Sequence, residues 1–147
     1  MLLKLRQRMA RDESGFTLVE LLVVMLILGI LAAIAVPSFF NQRDKAKDAD
    51  AKAAARTAET AMETYATDHG GSYAGAAADG SDLKTIEETL NGKTITVTST
   101  ADDYTVTVDS EVSGQDFSIS RAANGQTTFD CNTEGTAGCP TGGDWGG

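Results

Sequence analysis

A chain of 147 residues has the length of one domain with an appendage, and its large aliphatic residues are concentrated before residue 41. The net charge is −9, and from Gly71 onward three basic residues oppose twelve acidic ones. This acidic balance favours solubility and argues against direct binding of nucleic acid, which needs Lys and Arg to displace phosphate counterions. The part after Gly71 is small, so we expect a thin core that needs a packed helix or a covalent crosslink.

The first predicted elements are a basic N-terminal stretch and a long apolar segment. Residues 1–15 carry four basic side chains against two acidic ones. Residues 16–40 contain one charge, Glu20, and Leu21–Val36 is uninterrupted apolar sequence. Because about 20 helical residues cross a bilayer core, this segment is long enough to span a membrane once. The basic residues before it place its N-terminal side in the cytoplasm.

The helical pattern continues through residues 41–70, which form a predicted amphipathic stem. This stretch is rich in Ala, the best helix former, and it contains neither Gly nor Pro before Gly70-Gly71, which end the pattern. We predict one helix from about Thr17 to His69, apolar all round in its first half and amphipathic in its second. The positions predicted for the apolar face of the second half are Ala46, Ala49, Ala53, Ala54, Ala58, Ala61 or Met62, and Tyr65.

Residues 71–147 are predicted to form a globular head. Gly71–Gly80 is a loop between helix and sheet, and Ser81–Leu90 is a short helix with Ser81 or Asp82 as its N-cap. Beyond this helix the apolar residues recur at every second position, which predicts strands. The apolar face of the short helix is predicted to hold Leu83, Ile86 and Leu90.

Four segments with a two-residue period predict an antiparallel sheet of three or four strands. Turn signals separate the segments, and Asn124-Gly125 is a strong hairpin signal. One face of the sheet should pack on the amphipathic half of the long helix, so the predicted fold class is α+β. The predicted strands are Lys93–Ser99, Tyr104–Ser110, Asp116–Arg121 and Thr127–Cys131.

The two cysteines, Cys131 and Cys139, indicate a disulfide that closes a C-terminal loop. An even number of cysteines behind an export signal is typical of an oxidising compartment. Zinc is a weaker interpretation, because seven intervening residues is not a zinc spacing and the one histidine, His69, is distant in sequence. After Cys139 the Gly-rich chain is either loose or anchored by Trp145.

The residues give no sign of enzymatic chemistry. The sequence has one histidine, no paired nucleophile and base, and no Gly-rich phosphate loop, so we expect neither catalysis nor a cofactor. His69 is expected to cap the last carbonyls of the long helix. The loop aspartates lack the ligand spacing of a calcium site, so no metal is expected.

The stretch G-F-T-L-V-E at residues 15–20, with the apolar run behind it, resembles the signature of type IV pilins and of the related pseudopilins. The resemblance implies that a prepilin peptidase removes the leader 1–15 by cutting between Gly15 and Phe16, and then methylates the new N-terminus of Phe16. It also implies a homopolymer in which Glu20 of one subunit meets the amino group of a neighbour's Phe16. Such a pairing offsets the desolvation of both charges.

The same family favours a glycine within the apolar segment and a proline near its end, which Gly29 and Pro37 match. Both residue types weaken a helix interior. In lipid the backbone finds no other hydrogen-bond partners, so the unassembled subunit should keep a mostly continuous helix. In a filament we expect non-helical backbone between Gly29 and Pro37.

The resemblance also implies partners and a location. Membrane lipid surrounds the single-pass precursor in the cytoplasmic membrane, and a pilus assembly platform with its ATPase builds the extracellular surface pilus. Three functions stay open: a structural subunit of a type IV pilus, a pseudopilin of a type II secretion system, and an exported adhesion or binding module. The module would be soluble after a signal-peptidase cut following Ala35, or anchored without a cut.

Overall fold

A 51-residue helix and a four-stranded antiparallel sheet make up most of the structure, a computed structural model that describes residues 15–112 and 114–146. The chain divides into two compact units, one up to Phe39 and one from Phe40 onward. The predicted α+β class is confirmed. The elements in chain order are α1 (Leu18–Asp68), α2 (Ser81–Ile86), a 3-10 helix (Glu88–Leu90), β1 (Ile95–Ser99), β2 (Tyr104–Asp109), β3 (Asp116–Arg121) and β4 (Thr127–Cys131).

Helix α1 begins and ends within one residue of the predicted bounds and is continuous through Gly29 and Pro37. Its buried face beyond residue 40 differs from the prediction at the start. Ala46, Ala49 and Ala53 are exposed, and the buried positions are Asp48, Ala51, Ala54, Ala55, Ala58, Ala61, Met62, Tyr65 and Ala66. The prediction was wrong there because Ala occurs on several faces of this helix, so the residues that pack against it decide which face is buried.

The sheet has the order β1-β2-β3-β4, and every neighbouring pair is antiparallel. Side chains alternate between a buried and a more exposed face, as the two-residue period predicts. The buried face joins the Ala-rich face of α1 in one hydrophobic core. The core side chains with no exposed surface include Ala55, Ala58, Met62, Leu83, Val106, Val108, Phe117 and Ile119.

The short helix begins at Ser81 as predicted, but its N-cap residue and its C-terminal end differ from the prediction. Its N-cap is Gly80, which has a φ of 68° and no side-chain cap. A side chain at this position would meet Ile95 at 2.9 Å, so glycine is required by conformation and by space. Asp82 instead accepts a hydrogen bond from the Ala77 amide at 2.8 Å. Helix α2 ends at Ile86, which is 37% exposed and therefore lies off the predicted apolar face.

The C-terminal segment lies along the outer edge of β4. The Cys131 amide donates to the Gly143 carbonyl at 3.0 Å, and the Trp145 amide donates to the Phe129 carbonyl at 3.3 Å. The Trp145 indole, 7% exposed, also donates from Nε1 to the Asp130 carbonyl at 2.9 Å. Of the two alternatives for this segment, the structure shows the one in which Trp145 anchors it.

Candidate functional site

The N-terminal end of α1 carries the residues that the sequence singled out for processing and assembly. Gly15, Phe16 and Thr17 precede the helix, so the peptide bond between Gly15 and Phe16 lies in non-helical backbone. The predicted leader lies outside the described residues except for Gly15. Proteases bind extended substrates, and a glycine beside the predicted cut fits a narrow protease groove because it has no side chain.

A hydrogen-bonded cap fixes the start of α1. The Glu20 amide donates to Thr17 Oγ1 at 3.2 Å, and Thr17 Oγ1 donates to Glu20 Oε2 at 3.5 Å. These bonds satisfy an amide that the first turn of a helix leaves without a partner. Thr17 was not among the predicted site residues, although Thr-x-x-Glu ahead of an apolar run is itself the sequence signature of such a cap.

The cap places Glu20 in the first turn of the helix, where the helix dipole favours a negative charge. Glu20 is exposed, and Thr17 is its only side-chain hydrogen-bond partner within residues 15–112 and 114–146. Phe16 and Glu20 thus lie at the same helix end. The predicted contact of Glu20 with a neighbour's Phe16 joins two chains and stays a prediction.

The apolar part of α1 presents its side chains outward on all sides. The large apolar residues between Phe16 and Val36 are 45–74% exposed. Monomeric soluble proteins rarely expose apolar patches of more than a few hundred Å². Within the described part of the chain, α1 is the one helix long and apolar enough to cross a membrane. This surface therefore needs lipid or other protein chains to cover it.

Gly29 and Pro37 lie within this exposed part of α1. A side chain at Gly29 would have no neighbour within 4 Å, so packing inside the subunit does not require glycine there. Pro37 lacks the amide that would bond to the carbonyl one turn earlier. The helix nevertheless continues through both residues. Their role as a region that unwinds in a filament stays a prediction.

The predicted disulfide between Cys131 and Cys139 is present, with the two Cα atoms 5.9 Å apart. His69 also has the predicted structural role. Its Nδ1 lies 2.8 Å from the Tyr65 carbonyl oxygen, and its ring stacks on the Tyr65 ring with centroids 3.9 Å apart. Among the described residues, no group of three or more His, Cys, Asp or Glu side chains could hold a metal ion.

The polar cluster around Glu63 most resembles a catalytic arrangement, and its chemistry is that of a structural network. Glu63 accepts hydrogen bonds from the hydroxyls of Tyr73 at 2.9 Å and Tyr104 at 3.0 Å. Arg121 Nη1 lies 3.2 Å from Glu63 Oε1. Burial raises the pKa of Tyr104, and the charge of Glu63 raises it further. Burial also raises the pKa of Tyr73, so both phenols stay neutral donors, and the cluster joins α1 to the sheet.

Comparison with known proteins extends the N-terminal match into the head. Residues 10–36 match the family model for the prokaryotic N-terminal methylation motif. Type IV narrow pilus major component PilA5 of Thermus thermophilus is 34% identical over 118 residues, which cover 78% of this chain and 92% of that protein. Type IV major pilin protein PilE1 of Neisseria gonorrhoeae is 32% identical over 126 residues, which cover 81% of this chain and 75% of that protein.

Type II secretion system core protein G of Pseudomonas aeruginosa shows a shorter similarity. It is 44% identical over 59 residues, which cover 40% of this chain and 42% of that protein, so the chain spans less than half of this relative's length. No solved structure matches. The pilins, in contrast, match over most of their own length and most of this chain. The chain therefore belongs to the type IV pilin family, which includes the pseudopilins of type II secretion systems.

Proposed function

We propose that this chain is the structural subunit of a type IV pilus. In this proposal a prepilin peptidase cuts between Gly15 and Phe16 and methylates Phe16, and the mature subunits polymerise through α1. The observation that carries the proposal is the apolar surface between Phe16 and Val36, which is exposed on every side and has one carboxylate, Glu20, at its start. Lipid covers this surface before assembly, and neighbouring helices cover it afterwards.

Glu20 gives the polymer its register. A carboxylate inside a bilayer is costly unless it finds a partner, and each cut subunit has a new amino group on Phe16. Pairing Glu20 with the amino group of the next subunit removes two unpaired charges at once. Thr17 Oγ1 lies 3.5 Å from Glu20 Oε2 at the start of the helix, and Glu20 is the fifth residue after the proposed cut.

The remaining roles follow from this one. The precursor is a single-pass protein of the cytoplasmic membrane with the leader on the cytoplasmic side, and the product is an extracellular filament. An assembly platform and its ATPase supply the work of extraction from the membrane. The subunit needs no catalytic group or cofactor of its own in this role, and the charge of its acidic head disfavours direct binding of nucleic acid.

The second candidate is a pseudopilin of a type II secretion system. The 44% identity to a secretion core protein favours it, but that similarity covers 40% of this chain. The similarity to the two pilins covers 78% and 81% of the chain, so it includes much of the head as well. This wider coverage supports the pilus over the secretion pseudopilus. The family motif disfavours an exported module that is cut after Ala35, because such a cut would remove most of the matched residues 10–36.

The first experiment tests the proposed cut between Gly15 and Phe16. In the native host, Gly15→Leu should leave an uncut precursor in the membrane. Gly29→Leu, the same change at another glycine with open space around it, should still be cut. N-terminal sequencing of the wild type should give methylated Phe16. A mature chain that starts at Val36, or a Gly15→Leu variant still cut before Phe16, contradicts the processing step.

Deletion of the gene separates the two candidate functions. Loss of surface filaments in electron micrographs, with protein secretion intact, supports the pilus. Loss of secretion with filaments intact supports the pseudopilin. Peptide identification of this chain in purified native filaments completes the test.

A further inference from the structure

A buried carboxylate on α1 binds the C-terminal loop. Asp48 has no exposed surface. Its Oδ2 accepts a hydrogen bond from the Gly138 amide at 2.7 Å, and its Oδ1 accepts one from Ser110 Oγ at 2.6 Å. One turn further along α1, Lys52 Nζ donates to the Gly138 carbonyl at 2.6 Å. Two side chains of one helix thus hold Gly138 at both its N–H and its C=O.

The loop approaches the helix so closely that it has no space for a side chain. A Cβ atom at position 138 would lie 2.5 Å from Asp48 Cβ, well inside the contact distance. Gly138 directly precedes Cys139, which is 3% exposed and is bonded to Cys131 at 9% exposure. The contact of the loop with Asp48 and the disulfide that closes the loop are therefore one residue apart.

Each of these features depends on the other. A fully buried carboxylate needs hydrogen-bond donors, because removing it from water without them is strongly unfavourable. One of the two donors that Asp48 has among the described residues is an amide of the loop that the disulfide closes. Conversely, both cysteines are buried, so a reductant reaches the sulfur atoms only after the structure around the loop opens.

We propose that Asp48 is the positioning residue through which the disulfide fixes the C-terminal loop on α1. Oxidation of Cys131 and Cys139 and burial of Asp48 are then one coupled event. In the oxidation, the two thiols pass two electrons and two protons to a disulfide oxidant, which leaves as two thiols. The closed loop presents the Gly138 amide to Asp48, and in the reduced chain Asp48 and Lys52 return to water. This coupling concerns the fold of the head and does not rest on the proposed filament role.

Reduction kinetics test the proposal directly. The full-length chain in detergent micelles is treated with dithiothreitol, and free thiols are counted by alkylation and mass spectrometry. Asp48→Asn removes the charge without changing the shape, so the loop should open more often. Because hydrogen bonds to charged groups are stronger than neutral ones, the reduction rate should rise roughly tenfold to a hundredfold.

The matched control is Asp50→Asn, two residues away on the same helix. Asp50 is exposed and pairs with Lys93 outside the loop, so the rate for this variant should equal that of the wild type. Ser110→Ala is a milder second variant that keeps the Asp48 charge and should accelerate reduction about fivefold. It serves as the test if Asp48→Asn fails to fold. An unchanged rate in the folded variant overturns the proposal.

A double-mutant cycle measures whether Asp48 and the disulfide are coupled in their effect on the unfolding midpoint. No coupling is expected if Asp48 stabilises only its own surroundings. The chain is unfolded as wild type, as Asp48→Asn, with both cysteines changed to serine, and with all three changes. Coupling predicts that the loss of the disulfide lowers the unfolding midpoint much less in the Asp48→Asn background than in the wild type. Additive shifts overturn the proposal, because they mean that the disulfide and Asp48 act independently.

Discussion

The apolar part of α1 and the head use the same kinds of side chain in opposite ways. Ile30 is 56% exposed, whereas Ile119 has no exposed surface. The head buries its aliphatic residues in a small core that it shares with the Ala-rich face of α1, and the apolar part of α1 leaves them for an environment outside the subunit. Composition alone does not distinguish these two situations. The difference lies in whether the chain itself supplies a second surface, as the sheet does for the Ala-rich face of α1.

The two regions should therefore respond to mutation in different assays. Changes in the head should alter the free energy of unfolding of a single subunit. Changes in the apolar part of α1 should not affect the free energy of unfolding and should instead alter membrane insertion or assembly. Four predictions test this division, from the largest expected effect to the smallest.

The same substitution in the two regions gives the sharpest contrast. Ile119→Ala should lower the free energy of unfolding of the head by roughly 2–5 kcal/mol, because it leaves a cavity in a packed core. Ile30→Ala should change it by less than about 0.5 kcal/mol, because exposed sites rarely matter for folding. Denaturant unfolding in micelles measures both. Equal destabilisation by the two variants would break the comparison.

The next largest effect concerns the charge at the start of the apolar region. Glu20→Ala should insert and be cut normally, yet filament yield should fall roughly tenfold or more, since the amino group of a neighbour's Phe16 loses its partner. The yield is measured from sheared filaments by immunoblot. Glu20→Asp, which keeps the charge, should retain part of the yield. Normal yield from Glu20→Ala contradicts the pairing.

A smaller effect is expected from the two weak points of the same region. Unwinding of about seven residues between Gly29 and Pro37 would lengthen the helix by roughly 10 Å. The double variant Gly29→Ala with Pro37→Ala favours the helix and should give filaments that are stiffer under tension or fewer in number. A cryo-EM map of the native filament checks the cause. Unbroken helix between these residues in that map would refute the unwinding.

The smallest effect concerns an imperfectly satisfied group in the head. Asp116 Oδ1 is buried without a hydrogen-bond partner among the described residues. Burial, followed by the charge of Asp109, raises the pKa of Asp116. A raised pKa means that the folded state binds the proton more tightly than the unfolded state does. The ionised carboxylate therefore lowers the free energy of unfolding at neutral pH, and this loss disappears below the ordinary pKa near 3.9.

Asp116→Asn should therefore stabilise the head slightly at pH 7, by less than about 1 kcal/mol. The gain should shrink as the pH falls towards 3. Thermal unfolding at several pH values measures it, and Asp102→Asn in an exposed turn is the control. A gain that grows on acidification would show that the sign is wrong.

Local sequence patterns predicted most of the fold. Strands β3 and β4 match their predicted bounds to the residue, because alternation and turn residues are both local signals. Strand β1 begins two residues later than predicted and β2 ends one residue earlier. The missed cap at Thr17 also had a local signature, Thr-x-x-Glu, that identifies it.

The buried contacts of Asp48 had no such signal. Its partners Ser110 and Gly138 lie 62 and 90 residues away in sequence. An aspartate in a charged, Ala-rich helix has the pattern of a solvated residue, and only the tertiary structure shows that it is buried. The prediction of the N-cap of the short helix was wrong for a related reason. The lack of space for a side chain at position 80 beside Ile95 determines the N-cap residue, and capping propensity does not.

The edges of the sheet have a consequence for crowding. The C-terminal segment bonds along β4, and on the opposite edge the Val97 amide donates to the Ala78 carbonyl. Unpaired strand edges are where sheets of different molecules fuse into amyloid-like aggregates. With these positions occupied, closely spaced heads have fewer ways to join irreversibly. The proposed filament, which brings many heads close together, then carries less risk of irreversible aggregation through the sheets.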